Sequence, residues 1–320
     1  MRILFIGDVV GGPGRRGLAA AMPRLRERVA PDLVIANGEN SAGGSGITER
    51  TAADLRRAGV DVITTGNHVY RQREAYEFLD TDERVIRPAN YPKGNPGRGS
   101  TIVEVGGRSV GVLNLSGELQ LTVARSPFPA ADAEIGELRR RGAEVIVVDF
   151  HAEVTSEKIA MGWHLDGRVA AVLGTHTHVP TADARVLPGG TAFICDVGMT
   201  GSRTSILGVE VEDALGRFLT QMPTRFRTAE EDVWINAVVV EVGEDGRATG
   251  IEQILEATGL GAASDPRNRR SHRPAIAIPC GERGHRSASH DWQRREVGSS
   301  PQRPASPGSP MFPSLPIALA

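Results

Sequence analysis

From residue 2 to residue 198 the chain repeats one pattern: a short aliphatic run, rich in Val and Ile, is followed by a helix-like or turn-like segment. The runs are RILFIGD (2–8), DLVIANGE (32–39), VDVITTGN (60–67), STIVEVGG (100–107), RSVGVLNLSG (108–117), AEVIVVDFHA (143–152), VAAVLGTHT (169–177) and TAFICDVG (191–198). Most are near-continuously apolar, as strands covered on both faces are. Between them lie the helix candidates GRRGLAAAMPRLRERVA, TERTAADLRRAGV, REAYEFLDTD, ADAEIGELRRRG and SEKIAMGWHLDG, with Thr48 placed as an N-cap. A last stretch, WINAVVVEVGEDGRATGIEQI (234–254), alternates on either side of GEDGRA and predicts a hairpin. Strand then helix, repeated, confines the chain to an α/β fold with a central sheet. The final hairpin and the two adjacent strands at 100–117 make that sheet mixed or doubled.

Where the strands stop is as informative as where they run. In an open α/β sheet the carboxyl ends of the strands line one rim, and ligands bind there. Five strands bring polar residues to that rim: Asp8; Glu39 and Asn40; Asn67 and His68; His151; His176 and His178. Four of the five histidines before residue 261 lie at strand ends, and the fifth, His164, sits on a helix and is read as structural. Imidazole with carboxylate suits iron, manganese, zinc or cobalt, while the lack of thiolates argues against a closed structural zinc site. A carboxylate can bridge two cations, and two metals roughly 3.5–4 Å apart can clamp a phosphoryl group. Glycines beside these residues, among them Gly7, Gly38, Gly66 and Gly174, allow tight turns and close approach to an anion. One of Asp149 and Glu153 is expected to orient the His151 ring. Arg15, Arg16 and Arg87 are read as helix and surface residues, and Asn90 as either a turn residue or part of the cleft border.

Composition narrows the classes. With 320 residues, 37 basic against 39 acidic, the chain as a whole is not built to coat a polyanion. Its two cysteines, Cys195 and Cys280, form neither a disulfide framework nor a metal knuckle. The N-terminal apolar run is cut by Asp8, unlike a signal peptide, and no run approaches the roughly 20 apolar residues of a membrane span. A cytoplasmic protein without a membrane partner is the expectation. After residue 260 the character changes: 261–320 holds nine of the 20 prolines and nine arginines against four acids, a net of +5. The expected organisation is therefore a folded domain over 1–260 and a disordered Pro/Arg/Ser-rich tail over 261–320, whose role as a nucleic-acid arm is the lesser reading. Nucleotide-cofactor and serine-hydrolase classes fail on their motifs. GDVVGG is not the dinucleotide fingerprint, GGSGITER lacks the Lys-Ser/Thr of a phosphate loop, and no nucleophile elbow is present.

The strings that carry the candidate ligands resemble a known family. GEN, GNH and GTHTH resemble the calcineurin-like metallophosphoesterases, and MRILFIGDVVGGPGR, NGENSAGGSGIT, TTGNHVY, RPANYP, DFHAEVTSEKIAMGWHLDGRVAAVLGTHTHVPTADARVLP and CDVGMTG resemble the bacterial YmdB-type family from Met1 to about Leu260. The resemblance implies two sheets sandwiched between helical layers and a dinuclear-metal 2',3'-cyclic-nucleotide 2'-phosphodiesterase, with iron as the expected metal and manganese the alternative. It implies that Asp8, Glu39, Asn40 and His178 hold one metal and that Glu39, Asn67, His151 and His176 hold the other, with Glu39 shared. It implies attack by a metal-bound hydroxide, with His68 as proton donor to the leaving 2'-oxygen. Three positions depart from the family pattern: Glu118 in NLSGELQL stands near where arginine is expected, His164 where tyrosine is usual, and Pro180 where glutamine is usual.

Three readings follow. The first is hydrolysis of a cyclic nucleotide, or of an RNA-derived phosphodiester, to the 3'-phosphate. The second is a phosphomonoesterase or protein phosphatase on the same metals, and the third a non-catalytic RNA-binding regulator. A homo-oligomer stays open in all three.

Overall fold

A computed structural model describes residues 1–121 and 125–261. The tail expected to be disordered lies, beyond Gly261, outside the described residues. In chain order the elements are β1 (Arg2–Ile6), β2 (Asp8–Val9), α1 (Gly11–Val29), β3 (Leu33–Asn37), α2 (Glu49–Arg57), β4 (Val62–Thr64) and α3 (Ala75–Thr81). Then come β5 (Ser100–Val105), β6 (Arg108–Ser116), α4 (Pro127–Arg140), β7 (Val145–His151), α5 (Thr155–His164), β8 (Ala171–Thr175), β9 (Arg185–Val186) and β10 (Ala192–Ile194). The last elements among the described residues are β11 (Met199–Ser202), α6 (Val211–Thr220), β12 (Val233–Val242) and β13 (Ala248–Ala257).

The strands build two sheets, each of them mixed. The first runs β2-β11-β12-β1-β3-β4, with β13 on the other side of β12. β1, β3 and β4 are parallel, while β12 lies antiparallel to β1 in the register Arg2↔Glu241 to Ile6↔Ala237. The second runs β5-β6-β7-β8-β10-β9, parallel from β6 to β10 and antiparallel at both edges. The expected strand over 191–198 is thus shorter than its apolar run. It stops at Ile194, and the chain crosses to the first sheet to form β11. The hairpin predicted about GEDGRA is present as β12 and β13.

Three cores explain the layering. Ile3, Phe5, Leu33, Ile35, Val62, Val238 and Val240 of the first sheet meet Val110, Val112, Val145, Val147, Leu173 and Ile194 of the second. The outer face of the first sheet is covered by α1, α2 and α3, through Leu18, Met22, Leu25, Leu55, Phe78 and Leu79. The outer face of the second is covered by α4 and α5, through Ile135, Leu138, Met161 and Leu165. Strands buried on both faces cannot alternate, and β7 is buried at all seven positions. On α1, Leu18, Ala21, Met22, Leu25 and Val29 fall on one face at helical spacing. The N-cap read at Thr48 is realised as a reciprocal pair, Thr51 N donating to the Thr48 hydroxyl and Thr48 N to that of Thr51. α6 was not foreseen; its sequence, VEDALGRFLT, follows no strand-like run, and Ala214 is its one buried residue.

Candidate metal centre

The expected common rim is made by two sheets facing one another. The first delivers Asp8 from the start of β2, Glu39 and Asn40 just past β3, and Asn67 and His68 just past β4. The second delivers His151 as the last residue of β7, and His176 and His178 just past β8. All eight candidates come together. His151 Nε2 lies 3.1 Å from Glu39 Oε1, 2.9 Å from Asn67 Oδ1 and 3.0 Å from His176 Nδ1. Asn40 Nδ2 lies 3.0 Å from His178 Nε2, whose ring is 4.0 Å from Asp8 Oδ1. The Asp8 and Glu39 carboxylates and the His151 ring are sealed from solvent, with His176 and His178 at the edge.

Each imidazole is held by one nitrogen so that the other faces the centre. His151 Nδ1 is 2.9 Å from the Thr175 hydroxyl, His176 Nε2 is 2.9 Å from Glu153 Oε2, and His178 Nδ1 is 3.1 Å from the Leu207 carbonyl. A ring that donates outward in this way presents a lone pair inward, as a metal-binding histidine must. The Thr175 hydroxyl donates in turn to Asp149 Oδ1 at 2.7 Å, and Asp149 Oδ2 accepts from Asn37 Nδ2 at 3.0 Å and from Thr64. Neither acid flanking His151 therefore touches its ring through a hydrogen bond. Asp149 acts through Thr175, and Glu153 orients His176 instead.

The loop that presents the last two histidines is strained. His176 and His178 both take left-handed backbone angles, φ 98° and 65°, a conformation that costs a non-glycine residue about 1–2 kcal/mol. Asp196 holds it there. Its Oδ2 accepts from Thr177 N (3.1 Å), the Thr177 hydroxyl (2.7 Å) and Lys158 Nζ (2.7 Å), and both partners of the ion pair are buried. Across the cleft Gly66 has no side chain because a Cβ there would collide with the His151 ring and the Glu39 carboxylate.

The electrostatics call for positive charge. Burial pushes the Asp8 carboxyl up, and Asp8 Oδ1 is sealed from solvent without a hydrogen-bond donor among the described residues. Burial also raises Asp149, to about 7. Burial acts the same way on Glu39, but the His151 imidazole outweighs it, with His68 and His176 adding to the effect, and holds that carboxyl below its ordinary range. Burial works against a charged His151 ring, yet Glu39, Asp8 and Asp149 raise it to about 9, so a proton occupies a place where carboxylates want a cation. Burial and the neighbouring His151 push His176 down to about 2. An orphaned buried carboxylate oxygen beside convergent nitrogen and oxygen donors fits a divalent cation. Glu39, His151 and His176 already offer donor atoms within 4.8 Å of one another.

His68 differs from the other histidines. Its backbone N–H donates to Glu39 Oε2 at 3.0 Å, and its Nδ1 lies 2.8 Å from Asn40 Oδ1. Nε2 makes no hydrogen bond among the described residues, and burial lowers the ring's pKa. With its carbonyl on His68, Asn40 would hold a cation only after its amide turned so that Oδ1 faced His178.

Most other candidates are structural. Arg15 bonds Asp54 and the Ser41 carbonyl, Arg16 pairs at 3.4 Å with Glu230 on the surface, and Arg87 donates to the Pro88 carbonyl. Asn90 ties its loop to the end of β6, accepting from Ser116 N and donating to the Ser116 and Arg125 carbonyls. His164 pairs with Asp132 at 2.9 Å, as a structural histidine does. Thr175, Asn37, Lys158 and Asp196 escaped the sequence reading. The one signal for the first was its place between Gly174 and His176.

Solved structures share this architecture. A 5'-nucleotidase precursor from Thermus thermophilus superposes with a TM-score of 0.50 at 18% identity, covering 80% of this chain and 54% of that one. That likeness shows the fold, two sheets between helical layers. A hypothetical protein from the same organism superposes with a TM-score of 0.76 at 46% identity, covering 80% of this chain and 99% of that one. The 2',3'-cyclic-nucleotide 2'-phosphodiesterase of Bacillus subtilis (strain 168) is 47% identical over 256 residues, 80% of this chain and 97% of its own length. The family model described as YmdB-like protein matches residues 4–254, and the chain belongs to that family.

Proposed function

We propose that the protein is a metal-dependent phosphodiesterase that opens 2',3'-cyclic nucleotides, free or at the end of an RNA fragment, to the 3'-phosphate. The observation that carries this is a convergence of donor side chains that includes Asp8 Oδ1, a sealed carboxylate oxygen without a donor, with His68 beside them. The Bacillus subtilis relative, whose name specifies this reaction, supports it.

Asp8, Glu39, Asn40 and His178 would hold one cation, and Glu39, Asn67, His151 and His176 the other, iron first and manganese second. When bound, the pair supplies charge for the phosphate oxygens and an acidified water. The chain supplies the rest. The outward bonds of His151, His176 and His178 fix three lone pairs, while the Lys158–Asp196 pair keeps the strained loop in register. Once Asn40 turns its Oδ1 toward the cation, its amide NH2 would donate to His68 Nδ1, so that the neutral ring carries its proton on Nε2 and gives it to the departing 2'-oxygen. Water adds to phosphorus, the P–O2' bond breaks, and the 3'-ester remains. The Asn37 amide and Thr64 hydroxyl of the first sheet and the Thr175 hydroxyl of the second wrap Asp149, which keeps a buried acid from competing for the same cations.

We assign this activity to residues 1–260 and to the cytoplasm, on the lack of a disulfide framework in the sequence. No helix among the described residues is long and apolar enough to cross a membrane. The test is elemental analysis of protein purified without added metal, paired with hydrolysis of 2',3'-cyclic AMP and identification of the product. About two metals per chain and 3'-AMP are expected. Release of 2'-AMP would mean that the P–O3' bond is the one broken and would overturn the assignment of the leaving oxygen, whereas turnover of monoesters alone would replace the reading with the phosphatase alternative.

A further inference from the structure

Beside the metal centre lie two clefts lined by arginine. The first, about 720 Å³, lies between the turns at Gly12 and Gly43 and the strap of residues 225–228, where Arg225, Phe226 and Arg227 line it. The second, about 570 Å³, runs between α1 and α2, with Arg15, Arg26 and Arg57 on its walls and Asp54 as the one acid of its lining. Gly12 lines both, so the two meet there. From Gly12 to Arg26 the groove follows α1 for roughly 20 Å.

This groove starts at the backbone that carries candidate ligands. Gly12 follows Asp8 by four residues and Gly43 follows Asn40 by three. Gly11 N donates to the Asn40 carbonyl at 2.8 Å, and Arg15 donates to the Ser41 carbonyl. The strap is laid against the same turns, since a Cβ on Gly11 or on Gly44 would meet the Thr228 side chain. Positive charge is in excess along the groove. Of its six arginines, Arg15 and Arg57 share Asp54, Arg16 pairs with Glu230 and Arg227 with Asp213. Arg26 donates to the Gly59 carbonyl, and Arg225 has no hydrogen-bond or ion-pair partner among the described residues.

Such an excess attracts a polyanion. A lipid surface is too flat to follow a cleft, and the tail beyond residue 260 is itself basic. The half-buried Phe226 ring lies among the arginines, and a basic cleft with an aromatic platform is how single-stranded nucleic acid is held. An RNA that ends in a 2',3'-cyclic phosphate carries its further phosphates on the 5' side, and a groove that begins beside the ligands is placed to take them. We propose that this groove holds the upstream phosphates of an RNA whose cyclic end lies in the metal centre, with Arg225 on an early phosphate and Arg26 on a later one. The identity of that RNA end rests on the phosphodiesterase reading.

The test compares, on the full metal-loaded chain, hydrolysis of 2',3'-cyclic AMP with that of an adenylate trinucleotide bearing the same end. Fluorescence anisotropy of a labelled hexanucleotide RNA ending in a 3'-phosphate measures binding alongside. The trinucleotide should be preferred in kcat/KM by about 10-fold or more, the gain from one charged contact. Arg225→Glu should abolish most of that preference. It should also flatten the dependence of log Kd on log salt for the hexanucleotide by about 0.7, the contribution of one phosphate. Arg26→Glu should weaken the hexanucleotide more than the trinucleotide. Arg140→Glu, on α4 over the other sheet, is the control for net charge. Equal kcat/KM for the two substrates, a salt slope indifferent to Arg225→Glu, or an equal loss with Arg140→Glu would each overturn the groove. So would binding to phosphatidylglycerol vesicles but not to the RNA. Binding of the RNA that depends on Arg225, without turnover of either substrate, would uphold the groove and sink the phosphodiesterase reading instead.

Discussion

The two sheets contribute unlike chemistry to one site. The first offers oxygen, from Asp8, Glu39 and Asn67, together with the Asn40 amide; the second offers nitrogen, from His151, His176 and His178. The oxygen donors follow ordinary strand-to-loop turns, whereas two of the three nitrogen donors stand on left-handed backbone pinned by a buried ion pair. A carboxylate finds a cation by Coulomb attraction from any approach, but an imidazole must aim one lone pair. The nitrogen side therefore needs the more elaborate support, and it has Thr175, Glu153, the Leu207 carbonyl and the Lys158–Asp196 pair. Because neither sheet brings all eight side chains, the apolar layer between the sheets is as much a part of the site as those side chains are.

Substitutions can break this comparison in graded steps. Glu39→Gln removes the carboxylate that faces both halves, so hydrolysis should fall to background and metal content to well below that of the wild type; elemental analysis showing full occupancy would refute the shared role. His68→Ala should lower kcat by about 10²–10⁴ while metal content stays unchanged, which separates proton donation from ligation. Loss of metal in that variant would place His68 among the ligands. Lys158→Met leaves the Asp196 carboxylate buried without its partner and should cost about 3–5 kcal/mol in denaturant unfolding, with metal affinity falling in the folded fraction. Stability lost with affinity kept would show that the pair serves the fold alone. The mildest is Thr175→Val, which cuts His151 from Asp149 and should weaken metal binding by about 10- to 100-fold. An unchanged affinity would mean that the ring is aimed by packing.

Much of this was legible in the chain. Uninterrupted Val and Ile runs such as VIVV in β7 can exist only where both faces are covered, and a polar residue at the end of such a run has only the rim to occupy. That reasoning placed all eight candidates. It did not divide them between two sheets, because which strands pair and which faces meet is set by packing such as that of Phe5 in one core with Val145 and Val147, which leaves no periodic trace. Nor did it see β11, since TAFICDVG reads as one run while Asp196 and Gly198, the latter at φ 90°, turn the chain into the other sheet. Asp149 looked like an ordinary strand-end acid because its tie to His151 passes through a hydroxyl. α6 was hidden for the opposite reason: its apolar stripe of Leu215, Phe218 and Leu219 looks like any buried helix, and nothing in its spacing says that the stripe points outward.

The antiparallel pairing of β1 with β12 has a further consequence, for the order in which the molecule is made. β1 can align with β3 once Leu33–Asn37 has left the ribosome, but its other edge stays open until Val233–Val242 is synthesised. During that interval an apolar strand, at the centre of the finished sheet, is an exposed edge able to pair with other chains. The half of the site that carries Asp8 is therefore started first and completed last. A cell that makes this protein quickly meets its greatest risk of aggregation during elongation.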